Sequence, residues 1–561
     1  MGNEDAVKMM LKRRDAKVEQ RQEWEPFYSS IARYIRPRKK SIDSFSSPGQ
    51  LSNDHYDSTA PAASNTLALI MADTLTPKAI EWFGFSIPES SPFSRLNKNV
   101  NVKNWLRELN VAVFAGLAQS NFYSVINEIY ADFNSFATVC LYLEESRLKK
   151  PGFNGFNFRA LPISSYVFAE DDHGLVDTVF RDYDFTVRQL FQRFDKAKIP
   201  GKYEKKLEKS PDDPVKMVSC VCPSRDIPKS LQSKMPFTSL DMLEEDKVVL
   251  ETMAYNEFPY MVGRWDKASG EDRGRGPAAV AMADILSLNE LRRQELIGLQ
   301  KAVNPPILSG EEGFVGTVQM IPNAIVYSRN PREVRTMPSE LRLNLSSLVA
   351  DNLMRGIKDM YLVDQLNLPR GKAMTAEEVI TVRGEVERLL GPTVSRFESE
   401  VLGPMLERCA AIMVRTKAIS EPPSELDGLD TLDIVYTGQL ARAQKLAQVQ
   451  AIQRWSQMNI EFSSVDPGVL DVQNLQEASR FAAPLMGVPP EVVRSKADTE
   501  KIQAEKAQAA QAEKEGQQQQ EGMDSISKTA PLLKVLGEQG GGILGGTQSQ
   551  IPAGASKCWT Y

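Results

Sequence analysis

Two histidines, His55 and His173, are all that this 561-residue chain offers for imidazole chemistry. No local signature pairs either with a nucleophilic Ser or Cys, and no H-E-x-x-H occurs. Cys220-Val221-Cys222 is too tightly spaced for half of a zinc knuckle and reads as strand or core. Asp171-Asp172-His173 holds metal-type donors, yet the following Gly174 makes a solvated turn the better reading, and Asp212-Asp213-Pro214 reads the same way. Gly371-Lys372 is followed by Ala373 where a phosphate-binding loop needs Ser or Thr, and it lacks the upstream glycine. Gly540 to Gly545 matches G-x-G-x-x-G, but it follows no predicted strand and lies in a low-complexity tail. No pair of carboxylates is assigned to catalysis, no cofactor or metal is called for, and the expectation is a protein that is not an enzyme.

The composition sets limits on partners. Net charge is -6, whereas a protein that grips nucleic acid over a broad face is normally basic. Any DNA contact is therefore expected to be local, weak or transient. The 42% hydrophobic content allows substantial cores, and the length suggests three or four folding units. Five scattered cysteines form no disulfide framework, which points to assembly in a reducing cytoplasm. The N-terminus lacks an apolar signal region and no run is long enough for a membrane span, so a soluble protein without a membrane partner is expected.

The elements follow from periodicity and punctuation. Trp24, Phe27, Ile31 and Ile35 recur at helical spacing within a predicted helix over 4–36, and the basic run Arg36 to Lys40 after it reads as solvated surface. A second helix is expected over 58–75, capped by Ser58 or Thr59, then a buried strand at Trp82, Phe83 and Phe85, then helix over 101–134. From 137 to 265 short strands dominate: 138–143, 156–161, 166–169, 176–183, 215–222, 248–255 and 260–264, with a helix at 186–194 among them.

Helix then returns. One long helix is expected over 277–303, stopped by Asn304-Pro305-Pro306. A Gly- and Pro-punctuated β excursion follows over 306–337, with strands near 315–320 and 324–328. A second long helix over 339–362 carries the stripe Leu341, Leu345, Leu348, Leu353, Ile357 and Met360. A loop over 363–373 leads to Thr375-Ala376-Glu377-Glu378, a capping box that opens a helix broken at Gly391-Pro392. Helix over 393–418 is expected to kink at Gly403-Pro404, with a strand at 433–437 and helices at about 439–459, 471–486 and 490–515 after it. The Gln- and Gly-rich tail over 516–561 is expected to be mobile. The two long helices form an antiparallel hairpin whose arms each span roughly 35–40 Å at about 1.5 Å per residue. Such a rod exposes too much apolar surface to stand alone, and copies of itself in a closed ring would cover it.

In order and spacing the chain resembles the portal, or head-to-tail connector, proteins of short-tailed, podovirus-type bacteriophages. The residues that carry this are Asp57-Ser58-Thr59-Ala60, Leu75-Thr76-Pro77, Trp82-Phe83, Arg275-Gly276-Pro277, Asp284-Ile285, Leu288-Asn289, Asn304-Pro305-Pro306, Met374 to Val379, and Glu400-Val401-Leu402-Gly403-Pro404. The resemblance covers about residues 10 to 490. It implies an α+β, mainly α portal fold: an α+β wing (1–276), a two-helix stem (277–303 and 338–362), a β-containing clip (304–337), a tunnel loop (363–373), wing- and crown-side helices (374–437) and helical crown or barrel (438–515). It implies a homo-dodecameric ring at one capsid vertex, between head and tail of the virion. Double-stranded DNA would pass through that ring without sequence readout. The packaging terminase large subunit, the tail adaptor and tail proteins, and the major capsid and scaffolding proteins would be its partners. Pro369, Arg370, Gly371 and Lys372 would then face the DNA, unless they simply connect two helices. Phe314, Val315, Val318, Ile325, Tyr327 and Arg329 would form the clip surface that docks the motor and adaptor, unless they belong to an ordinary β-hairpin. Two other readings share the lack of catalytic motifs or reinterpret it: a scaffolding or internal virion protein, and a metal-dependent nuclease using Asp171 and Asp172.

Overall fold

The computed structural model describes residues 3–37, 54–146, 152–303, 307–308, 335–336, 343–363, 389–426, 432–436 and 439–462, with scattered positions as far as 499. Where one helix was expected at the N-terminus there are two, α1 (Asn3–Gln22) and α2 (Glu25–Tyr34). Pro26 explains the break: in a continuous helix it would remove the bond to Gln22 and collide with that carbonyl, whereas in a first turn it is harmless. Arg36 does not stand free in solvent as expected, since it reaches the buried Asp132 at 3.3 Å. Helix α3 (Thr59–Leu75) is not capped by Ser58. Pro61 occupies the third helical position and has no N–H to give, so the Asp57 side chain accepts from the Thr59 amide instead, at 2.8 Å. Strand β1 (Phe83–Ser86) follows.

The expected helix over 101–134 is also two, α4 (Val100–Gln119) and α5 (Phe122–Phe136), meeting at 78°. Ser120 and Asn121 make the corner. The Ser120 hydroxyl accepts from the Phe122 amide at 3.1 Å, and the Asn121 carboxamide exchanges two hydrogen bonds with the backbone of Phe158, at 2.8 and 2.9 Å. Asn121 thus behaves as a strand edge, which a continuous helix would not permit. Among the described residues no single helix is long and apolar enough to cross a membrane.

Eight strands come next: β2 (Thr138–Glu145), β3 (Phe156–Leu161), β4 (Tyr166–Glu170), β5 (Val176–Thr186), and, after helices α6 (Val187–Arg193) and α7 (Lys202–Lys209), β6 (Pro214–Pro223), β7 (Phe237–Leu243), β8 (Val248–Tyr255) and β9 (Tyr260–Arg264). Thr186 and Gln189 close a reciprocal capping box that starts α6. Two antiparallel sheets result, one of order β3-β2-β9 and one of order β4-β5-β6-β7-β8. Strand β7 and helix α7 are additions to the expected set. The main core lies between the three-stranded sheet and helices α2 to α5. Trp82, Tyr130, Phe133 and Phe158 are fully buried in it, and Trp82 stacks on Phe122 while Phe133 packs on Phe397.

Helix α8 (Pro277–Val303) has the expected bounds. Strand β10 (Ile307–Leu308) pairs with β11 (Arg335–Thr336), and helix α9 (Leu343–Met360) returns. The strands expected at 315–320 and 324–328, the loop expected over 363–373 apart from the buried Val363, and the capping box at Thr375 lie outside the described residues, as does the tail 516–561. Residues 389–397 are helical straight through Gly391-Pro392, where a break was expected. The expected kink at Gly403-Pro404 takes the form of a single π turn, Glu398–Leu402, leading into α10 (Gly403–Arg415). Pro404 cannot donate to Glu400, and the wider turn, in which the Gly403 amide bonds back to the Glu398 carbonyl, accommodates that loss. Strand β12 (Asp433–Tyr436) then pairs with β1, in register Phe83↔Tyr436, so the chain closes onto its own beginning. Helix α11 (Gln439–Phe462) is the last continuous element described. The chain divides into two compact units, residues 1–444 and 445–561.

Candidate functional site

The feature that the sequence marked out is the hairpin of α8 and α9, and the structure shows how it is rooted. Just before α8, the Gly274 amide donates to the Thr138 hydroxyl at 2.9 Å. A β-carbon on Gly274 would lie 2.2 Å from the carbonyl oxygen of Ala137, so no larger residue fits this crossing. Ala137 itself turns left-handed, with φ of 59°, and its carbonyl accepts from the Trp265 amide. Pro277 opens the helix where its missing N–H costs nothing. Ala278, Ala281, Ile285 and Leu288 then bury one stripe in the body of the protein. Asn289 ends that stripe: its carboxamide accepts from the Tyr56 amide at 2.8 Å and donates to the Asp54 carbonyl at 3.0 Å.

Beyond Asn289, no residue of α8 is buried, and α9 runs back along it. Glu295 accepts from the Ser346 hydroxyl, Arg292 reaches the Met354 sulfur, and Gly356 sits against Asp284. Ile307 pairs with Thr336 and Leu308 with Arg335. Residue numbers across the hairpin sum to about the same value from the helices into the strands, so one antiparallel register continues through the base of the excursion. Among the described side chains of α9, Ala350 and Ile357 are fully buried, followed by Tyr361. The expected stripe is corrected here. Leu348 is 60% exposed, since a residue two positions from Ala350 faces away from it, and Met360 is also largely exposed. Val280, Leu286, Leu296, Leu299 and Val303 are exposed on α8. The hairpin therefore carries apolar side chains on outward faces of both helices.

A buried charge cluster fastens the neighbourhood of the root. Arg264, 2% exposed at the end of β9, binds Glu400 of the π turn at 2.6 Å and through its own backbone amide at 2.8 Å. It also pairs with Glu170, which Lys267 contacts at 2.7 Å. Burial works against the Arg264 charge, yet the hydrogen bonds and charges of Glu400 and Glu170 outweigh it and raise the guanidinium pKa above its ordinary value. Arg264 was not singled out from the sequence. Gly276-Pro277, Leu288-Asn289 and Glu400 to Pro404 were, as an ordered signature without roles; the roles are a helix start, a loop clamp and an ion-pair anchor.

The other sequence candidates separate from this site. Asp171 is occupied by a turn, its carboxylate accepting from the amides of His173 and Leu175 at 2.9 and 2.8 Å. Cys220 and Cys222 are fully buried in β6, and burial pushes the Cys220 thiol well up. No group of three or more His, Cys, Asp or Glu side chains is placed to hold a metal among the described residues. Pro369, Arg370, Gly371 and Lys372, and Phe314, Val315, Val318, Ile325, Tyr327 and Arg329, lie outside the described residues.

Among the described residues, the most extended feature is a long hairpin rooted in an α+β body, its antiparallel register continuing from the helices into the short β10–β11 pair. The chain belongs to the family of bacteriophage head to tail connecting proteins, which it matches over residues 8–493. It is similar to the probable portal protein of Bordetella phage BPP-1, with 25% identity over 545 residues that cover 94% of this chain and 96% of that protein. It is also similar to the portal protein of Salmonella phage epsilon15, with 26% identity over 491 residues covering 84% and 86%. The protein is a structural component of the phage head-tail connection and not an enzyme. The resemblance read from the order of short motifs stands, as does the α+β class.

Proposed function

We propose that the chain assembles into a closed ring, of twelve copies by resemblance, that forms the portal at one capsid vertex and passes double-stranded DNA during packaging and ejection. The observation that carries this reading is the outward apolar surface of the hairpin, with Leu348 60% and Val303 76% exposed. A monomer in water gains nothing from such surface, whereas neighbours arranged about an axis would bury it. In this reading α8 and α9 are the stem. Residues 304–337 are the clip, where the terminase large subunit docks first and the tail adaptor later. The α+β body is the wing, residues 374–437 its crown-side helices and 438–515 the crown, which meet capsid and scaffolding proteins during assembly in the host cytoplasm. Pro369 to Lys372 form the tunnel loop. Strong basic contacts along a channel would hold phosphates and stall sliding DNA, so an acidic chain with Arg370 and Lys372 repeated round a ring suits movement in both directions.

The test is electron microscopy of the purified protein with native mass measured alongside. Rings with a central hole and about a dozen subunits are expected. A monomer or dimer that forms no ring under any assembly condition overturns the stem and channel assignment. Particles carrying Arg370→Ala with Lys372→Ala are expected to assemble but to package DNA poorly; unchanged packaging removes the loop from the channel.

A further inference from the structure

Between the two sheets of the wing lies a cavity of about 30 Å³, enough for a monatomic ion or a water or two. Its floor is a polar row across three strands: Arg181 of β5 is in register with Ser219 of β6, and Ser219 with Asp241 of β7. Arg193 of α6 reaches in from one side and Glu144 and Arg159 from the other. The charges are nearly paired off. Asp241, 2% exposed, accepts from Arg193 at 3.1 Å, and Glu144 accepts from Arg159 at 3.3 Å. Arg181 is the remainder. It forms no ion pair among the described residues, and its buried Nε has no hydrogen-bond acceptor there. Its guanidinium rests instead against the rings of Tyr142 and Tyr183, 5.9 and 5.2 Å from their centroids. The buried Nε of Arg193, on the same cavity, also has no acceptor.

Two guanidinium Nε–H groups buried side by side without an acceptor call for an anion. Among the described residues that line the cavity, three arginines are opposed by two carboxylates, an excess of one positive charge. We propose that this cavity is a binding site for one small monovalent anion of about chloride size, held between Arg181 and Arg193 and bridging the two wing sheets. Phosphate-sized anions are too large for it, and a divalent anion would leave the site negative.

The test is thermal unfolding of the full-length protein at constant ionic strength, replacing gluconate, which cannot enter, stepwise with chloride and in a second series with bromide. The wild-type melting temperature is expected to rise saturably, by roughly 1–2 °C at about ten times the dissociation constant. Arg181→Met should lose the saturable rise, and Arg225→Met, at a guanidinium 77% exposed, should keep it. If Arg181→Met does not fold, chloride-35 line broadening by the wild-type protein, reversed by bromide, reads the same site. An equal rise in Arg181→Met, or the absence of both a saturable rise and excess broadening in the wild type, overturns the proposal and leaves water as the occupant.

Discussion

The α+β body and the helical hairpin solve the same problem in opposite ways. The body closes on itself: β12 returns to pair with β1 across most of the chain, Phe397 packs on Phe133, and even the charges of Arg264, Glu400 and Glu170 are matched indoors. The hairpin is closed on one face alone. Ala350 and Ile357 are buried while Leu348, Val349, Leu296 and Leu299 face outward. A region that has buried its own apolar faces is stable as a single copy. A region that has not gains from company, and in the proposed ring its outward faces are where neighbouring copies would pack.

That contrast can be broken first in the body. Arg264→Ala leaves the Glu400 and Glu170 carboxylates without their buried partner, and denaturant unfolding of the unassembled protein is expected to show a loss of about 3–5 kcal/mol in unfolding free energy. A shift within 1 kcal/mol would show that the cluster is not the fastening described. The hairpin should respond in the reverse sense. Leu296→Glu with Leu348→Glu changes exposed positions, so the monomer should move by no more than about 0.5 kcal/mol. Sedimentation should nevertheless show that rings no longer form; rings at normal yield would remove these faces from the interface. The smallest effect belongs to the surface pair of Glu271 and Arg275. The Arg275 hydrogen bond holds the Glu271 carboxyl below its ordinary value. Its contribution is therefore present above the ordinary carboxylate range and is lost as pH falls through the lowered folded value. Because the pair lies at the surface, where solvent screens it, Glu271→Gln should leave stability at neutral pH nearly unchanged and flatten the acid limb slightly at low salt.

Much of this was legible where one signal spoke alone. The bounds of α8 follow from Pro277 and from Asn304-Pro305-Pro306, and seven of the strands from short β-branched and aromatic runs between turns. The misses have physical causes. In β7 the polar residues Thr238, Ser239 and Asp241 are all buried, so no alternation marks the strand. In α7, Tyr203 is the single buried residue among lysines and glutamates, which leaves no apolar stripe. The corners at Trp24 and Ser120 interrupt strong helical periodicity for one or two residues, below what a window of several turns registers. For the site, the signature motifs pointed to the right neighbourhood, but Arg264 is paired with Glu400 from far along the chain, and no local pattern announces such a partner.

The shared register of α8–β10 with β11–α9 has a consequence for how such a protein can change. The ends of the segment between Leu308 and Arg335 are hydrogen-bonded to each other before that segment begins. Whatever joins them has no gap to span, and loop closure penalises added length slowly. The excursion is thus a cassette: it could be shortened, extended or exchanged for another without disturbing the helices beneath. If that segment is the docking clip of the proposed function, a lineage could refit it to a new partner while inheriting the two helices unaltered.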